Sequence, residues 1–151
     1  MTPPLAPITA ITPIKMPIEY LNSRDLPVEA VVGLYRANGW SSAEKPEKLM
    51  AALRNSDSVV SAWDGKVLVG LGNAISDGHL VVYYPHLLVL PTHHKQGIGR
   101  HIMDLLKAHY GGFHQHILVS DSKCVGYYQS CGFELAGATQ AMWIYHGNDH
   151  S

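Results

Sequence analysis

Two glycines one residue apart, in His94-Lys95-Gln96-Gly97-Ile98-Gly99-Arg100-His101, stand where an apolar helical pattern begins, with Lys95 and Arg100 on either side. Free backbone N–H groups and the positive end of a helix dipole meet at such a point, which suits a phosphate. The same residues would also serve as a tight turn with solvated charges, and spacing alone leaves that alternative open. The dinucleotide fingerprint fails because Ile102 holds the third glycine's place, and no Gly-Lys-Ser/Thr of a P-loop is present. Ten histidines raise the question of metal chemistry. His93-His94, His114-Gln115-His116 and His146 to His150 have neither the Cys/His spacing of a structural zinc site nor a His-Glu-x-x-His pair, so no metal is expected. Cys124 and Cys131 lie seven apart in one expected helix. That puts them about 10 Å apart, beyond the reach of about 7 Å that a disulfide allows.

The elements that position these groups follow from length and pattern. A chain of 151 residues with 46% hydrophobic content is expected to form one domain, burying roughly 70% of its unfolded surface. The net charge of -1 and scattered Lys and Arg give no basic face for nucleic acid or an anionic membrane. No apolar run reaches the roughly 20 residues that span a bilayer, and the N-terminus lacks a secretory pattern. A cytoplasmic protein is expected.

Five prolines in residues 1–17 predict an extended arm. Residues 18–145 read as the single domain and 146–151 as a C-terminal tail. Ile18 to Leu21 predicts a strand, and Val28, Val31, Val32 and Tyr35 fall at helical spacing after Pro27, with a second helix opening near Pro46. Asp64-Gly65 between two β-rich runs predicts a hairpin, and Asp77-Gly78 a second turn. The following strand, His79 to Leu90, contains Pro85, which removes a ladder donor and predicts a bulge or a locally unpaired backbone. An amphipathic helix carries Ile98, Ile102, Leu105 and Leu106 to Gly111-Gly112, and Gln115 to Val119 is a strand. Asp121 or Ser122 caps a helix with Cys124, Val125, Tyr128 and Cys131 inward, stopped by Gly132. Phe133 to Leu135 and Ala141 to Tyr145 are expected to complete the sheet. The fold class is α/β (α+β), a mixed, mostly antiparallel sheet of about six or seven strands with about four helices.

Leu87-Leu88-Val89-Leu90-Pro91 followed by HHKQGIGRHIMDLL, and then GYYQSCGFE, resembles the GNAT superfamily of acetyl-CoA-dependent N-acetyltransferases over about residues 18–145. Gly97 and Gly99 match the family's phosphate loop, and Tyr128, Gly132 and Phe133 match its aromatic-Tyr-x-x-x-Gly-Phe helix end. His94 departs from the Gln or Arg usual at the head of the loop. The resemblance implies acetyl-CoA as cofactor, its pantetheine against strand backbone at Leu88, Val89 and Leu90. Its pyrophosphate would lie on the amides of Gln96, Gly97, Ile98, Gly99 and Arg100, with His94 at the head of the loop and Lys95 and Arg100 adding positive charge.

The chemistry so implied is direct acetyl transfer to a primary amine, without an acyl-enzyme. Tyr128 would act as acid to the thiolate, since a phenol of pKa about 10 keeps its proton at pH 7. The Val89 N–H is the expected oxyanion donor. No acidic residue lies between Gly78 and Leu90, so His86, beside Pro85, stands as substitute base, with a water chain as the alternative. Tyr35, Trp40, Tyr83 and Trp143 would line the acceptor pocket, and Asp77 would bind the amine, although the aromatics serve equally as core or dimer contacts and Asp77 as a turn residue. A small-molecule amine is the expected partner. A non-catalytic acyl-CoA sensor, a protein or peptide amine, and a homodimer remain open alternatives.

Overall fold

The structure is a computed structural model that describes residues 17–149; most of the proline-rich arm and the last two residues fall outside them. Six strands and four helices form in the order β1 (Glu19–Asn22), α1 (Val28–Ala37), α2 (Pro46–Arg54), β2 (Ser58–Asp64), β3 (Val67–Ser76), β4 (Val81–Tyr83), β5 (Leu87–Val89), α3 (Ile98–Ala108), β6 (Gln115–Ile117) and α4 (Val125–Ser130). The sheet runs β1-β2-β3-β4-β6, with β5 also on β3. All pairs are antiparallel except β4 with β6.

One core lies on each side of the sheet. Ile98, Ile102, Met103 and Leu106 of α3 pack with Val60, Val69 and Val82 on one side. Val31, Leu34 and Tyr35 of α1 and Leu49, Met50 and Leu53 of α2 pack with Val59, Leu68, Leu71 and Leu88 on the other. Met103, absent from the expected stripe, is fully buried, while Leu105 is half-buried. Two strand glycines set the α3 side: a Cβ at Gly70 or Gly72 would fall 2.9 or 2.8 Å from Ile102.

The bulge expected at Pro85 is present and has a larger effect than local irregularity. Ile75 pairs with Tyr83 and Gly72 with Leu87, so Tyr84, Pro85 and His86 oppose only Asn73 and Ala74. One extra residue reverses the facing of the chain that follows. Val82 and Tyr84 therefore point into the α3 core, whereas Leu88 points into the α1–α2 core and His86 toward Tyr35 of α1.

Three expectations need correction. Phe133 to Leu135 and Ala141 to Tyr145 form no strands, and Leu135, Met142 and Ile144 stay exposed. Cys124 is exposed rather than inward, and Cys131 alone of the two is buried. The helix α3 ends at Ala108, three residues before the paired glycines.

Candidate active site

The parallel pairing of β4 with β6 covers Val81 to Tyr83, and the Tyr84 N–H to Ile117 C=O bond, at 3.0 Å, is the last between them. Beyond it, among the described residues, β5 pairs with β3 alone and no ladder joins it to the chain after β6, so the sheet opens there into a splay. On β5's other side, the His86 C=O accepts from Asn73 at 3.1 Å and the Leu90 N–H donates to Val69 at 2.8 Å. Antiparallel alternation thus spends the backbone groups of Leu88 and Leu90 on β3 and turns those of Leu87 and Val89 outward, into the splay. Of the three residues expected to offer strand backbone, Val89 alone does so; Leu87, missed in the sequence, is its companion. The imidazole Nε2 of His94 lies 2.9 Å from the outward Val89 carbonyl.

Beside the splay, α3 begins at Ile98 without a side-chain cap, and the first intrahelical bond is from His101 to Gly97 at 3.0 Å. The N–H groups of Ile98, Gly99 and Arg100 therefore precede the helical ladder, at its positive end. Lys95 and Gly97 have φ of +62° and +80°, which curls the loop so that successive amides face one side. Gly97 is required by that conformation, with open space around it. Gly99 answers a different need: a Cβ there would lie 2.7 Å from the Tyr127 hydroxyl.

The two tyrosines of α4 part company. Tyr127 is 40% exposed and reaches across to the first turn of α3. Its pKa is raised, chiefly by burial. Tyr128 is half-buried, edge-on to Phe133 at 6.2 Å and to Tyr127 at 5.2 Å. Burial first, and the neighbouring Cys124 and Cys131 thiols second, push its phenol up to about 12.

On the other face His86, Tyr35 and Trp40 form one aromatic cluster, with His86 5.3 Å from Tyr35 and 5.2 Å from Trp40 between ring centroids. The Tyr35 hydroxyl lies 2.8 Å from Nδ1 of His86. Burial holds the imidazole down at about 4, against a smaller opposing pull from Asp149. The remaining expected acceptor residues do not join this cluster. Asp77 accepts from the N–H groups of His79, Leu80 and Val81 at 2.9, 2.8 and 3.2 Å, so its carboxylate is a turn cap. Tyr83 is exposed on β4, and Trp143 stacks on Tyr145 at 4.4 Å. Among the described residues no three His, Cys, Asp or Glu side chains gather to hold a metal, and no helix is long and apolar enough to cross a membrane.

A sheet edge with outward backbone groups beside an uncapped helix N-terminus suits a ligand that carries amides and phosphates. Residues 27–144 match the acetyltransferase (GNAT) domain family. A GNAT-family acetyltransferase from Streptococcus pneumoniae TIGR4 is similar at 32% identity and TM-score 0.75, over 86% of this chain and 99% of that one. Glucosamine-6-phosphate N-acetyltransferase of Arabidopsis thaliana shares the fold, with TM-score 0.64 at 11% identity over 86% of this chain and all of that one. So does an aminoglycoside N-acetyltransferase in complex with CoA, with TM-score 0.67 at 15% identity over 91% and 99%. No curated protein matches the chain. The chain belongs to the GNAT acetyltransferase family, and its acyl donor is acetyl-CoA. The residues present fit that donor: outward strand amides at Leu87 and Val89 suit pantetheine, and the curled, uncapped Lys95–Arg100 segment suits a pyrophosphate.

Proposed function

We propose that the protein acetylates the primary amine of a small molecule by direct transfer within a ternary complex. Acetyl-CoA, when bound, supplies an activated thioester carbonyl. The observation that carries the reading is the placement of Val89: its outward N–H stands at the splay, between the α3 N-terminus and the aromatic cluster reached through His86.

The roles follow from chemistry. The Val89 N–H donates to the oxygen on which charge develops, and it needs no reorganisation to do so. The amides of Gln96 to Arg100 bind the pyrophosphate, with the charges of Lys95 and Arg100 beside them. Tyr128 keeps its proton at neutral pH and donates it to the departing thiolate. His86 stays neutral above about pH 4. Serving as base requires the tautomer in which Nδ1–H donates to Tyr35, so that Nε2 can accept a proton from the amine directly or through water. Tyr35 and Trp40 give the acceptor an apolar, planar wall. Cys131 is buried in the α3 core, away from any nucleophilic role.

Thiol release from acetyl-CoA, measured with a panel of small primary amines and peptides, tests the proposal. Amine-dependent release supports it. Tight acetyl-CoA binding with no release marks an acyl-CoA sensor, and release with peptides alone moves the acceptor to a protein amine.

A further inference from the structure

The residues after α4 link the two faces of the molecule. Phe133 packs in the α3 core, edge-on to Tyr84 at 6.0 Å. Sixteen positions later Asp149 sits on Ser41, at the start of the 3-10 turn whose Ala43 belongs to the α1–α2 core. One Asp149 oxygen lies 2.8 Å from the Ser41 hydroxyl, the other 3.4 Å from the Ser41 N–H, and the Tyr145 hydroxyl donates to the first. The ends of this segment thus bracket the bulge: Phe133 touches Tyr84 where it begins, and Ser41 adjoins Trp40, which packs on His86 where it ends.

The latch fixes a negative charge beside the aromatic cluster. Burial opposes ionisation, but the Tyr145 and Ser41 hydroxyls and the backbone N–H groups of Asp149 and Ser41 outweigh it and hold the carboxylate at a pKa of about 2. Asp149 is only partly covered, and its charge is felt at His86, which packs on Trp40. The amine that attacks must be neutral, so a fixed carboxylate at the rim rewards a second, persistent cation elsewhere on the acceptor. Resting on the small-amine reading above, we infer that Asp149, latched onto Ser41 by the C-terminal segment, is an acceptor-specificity residue that selects amines carrying a second positive charge.

The test compares 1,4-diaminobutane with butylamine, by thiol release and by calorimetric titration of the CoA-loaded protein. The wild type should bind and turn over the diamine better than the monoamine. Asp149→Asn should raise KM and Kd for the diamine about 5-fold and leave the Kd for butylamine and the KM for acetyl-CoA in place; Asp149→Glu should restore part of the loss. Equal effects on the two amines, an unchanged diamine Kd, or a wild type that binds both alike overturns the inference. Selective diamine binding lost in Asp149→Asn without turnover of either amine would uphold the Asp149 assignment and overturn the catalytic reading. Turnover unaffected by the substitution would do the reverse.

Discussion

His86 and Tyr35, 51 residues apart, meet with Nδ1 2.8 Å from the phenol oxygen because a single extra residue at Pro85 turns the strand over. Without that bulge His86 would face α3 with Val82 and Tyr84, and the α1 side would lose this imidazole. The bulge, the cluster and the outward Val89 amide are consequences of one insertion in the ladder.

Burying this imidazole ties stability to pH. Its folded-state pKa of about 4 lies below the ordinary value of about 6.5, so the unfolded chain binds more protons between the two. Stability from this group is fully present above about pH 6.5 and is lost as pH falls toward 4, by on the order of 3 kcal/mol. Urea unfolding of wild type and His86→Gln across that window checks it. The difference between the two should narrow as the pH drops, and a constant difference would contradict the assignment.

Tyr35→Phe removes the hydroxyl that partners Nδ1. It should destabilise the fold by about 1–3 kcal/mol, the cost of leaving a buried polar atom without its partner. If His86 works as the base, the variant should also shift the pH–rate profile, because the tautomer that exposes an accepting Nε2 is no longer held. An unmoved profile with lowered stability would make the pair structural only.

The two α4 tyrosines make opposite predictions. Tyr128→Phe should lower kcat by roughly 10²- to 10⁴-fold with little change in acetyl-CoA affinity. Tyr127→Phe should act mainly on the loop, since its hydroxyl rests against Gly99, and should change acetyl-CoA KM more than kcat. Were Tyr127→Phe to carry the larger kcat loss, the exposed phenol over the first turn of α3 would be the proton donor instead.

Much of this was legible along the chain, and what was not has a common cause. Hairpin turns at Asp64-Gly65 and Asp77-Gly78, the α3 stripe and the Pro85 bulge are local, written in spacing and in residues with few conformational options. The sequence showed that a bulge would form, but not that it would exchange the faces of His86 and Leu88, because facing depends on the register with β3. Gly99 matched the phosphate loop, yet its lack of a side chain also answers to Tyr127, 28 positions on, whose hydroxyl a Cβ there would meet. Asp149 and Ser41 meet across 108 positions, which no local pattern encodes. The failed strands at 133–135 and 141–145 show the converse: strand propensity describes fit to a pleated, half-buried surface, and β6, with three paired residues, offers them little to join.

The two loop glycines should therefore fail differently when replaced. Gly97→Val puts a β-branched residue at φ of +80°, where space is ample but the backbone is strained. The loop should relax to another conformation and turn its amides from the pyrophosphate, so acetyl-CoA affinity should fall by 10-fold or more, on the order of the 1–2 kcal/mol that a left-handed L-residue costs. Thermal unfolding should move only a few degrees, because an exposed loop contributes little to either core. Gly99→Ala leaves the backbone helical and instead drives a methyl group into the Tyr127 hydroxyl, 2.7 Å away. That clash should be relieved when the phenol swings off, so Gly99→Ala combined with Tyr127→Phe should recover affinity lost in Gly99→Ala alone, whereas Tyr127→Phe should not rescue Gly97→Val. Calorimetric titration of acetyl-CoA into the two glycine variants, Tyr127→Phe and the two double variants measures this coupling. Equal rescue of both glycine variants, or of neither, would show that Gly99 serves the ligand and not the packing of α4 on α3.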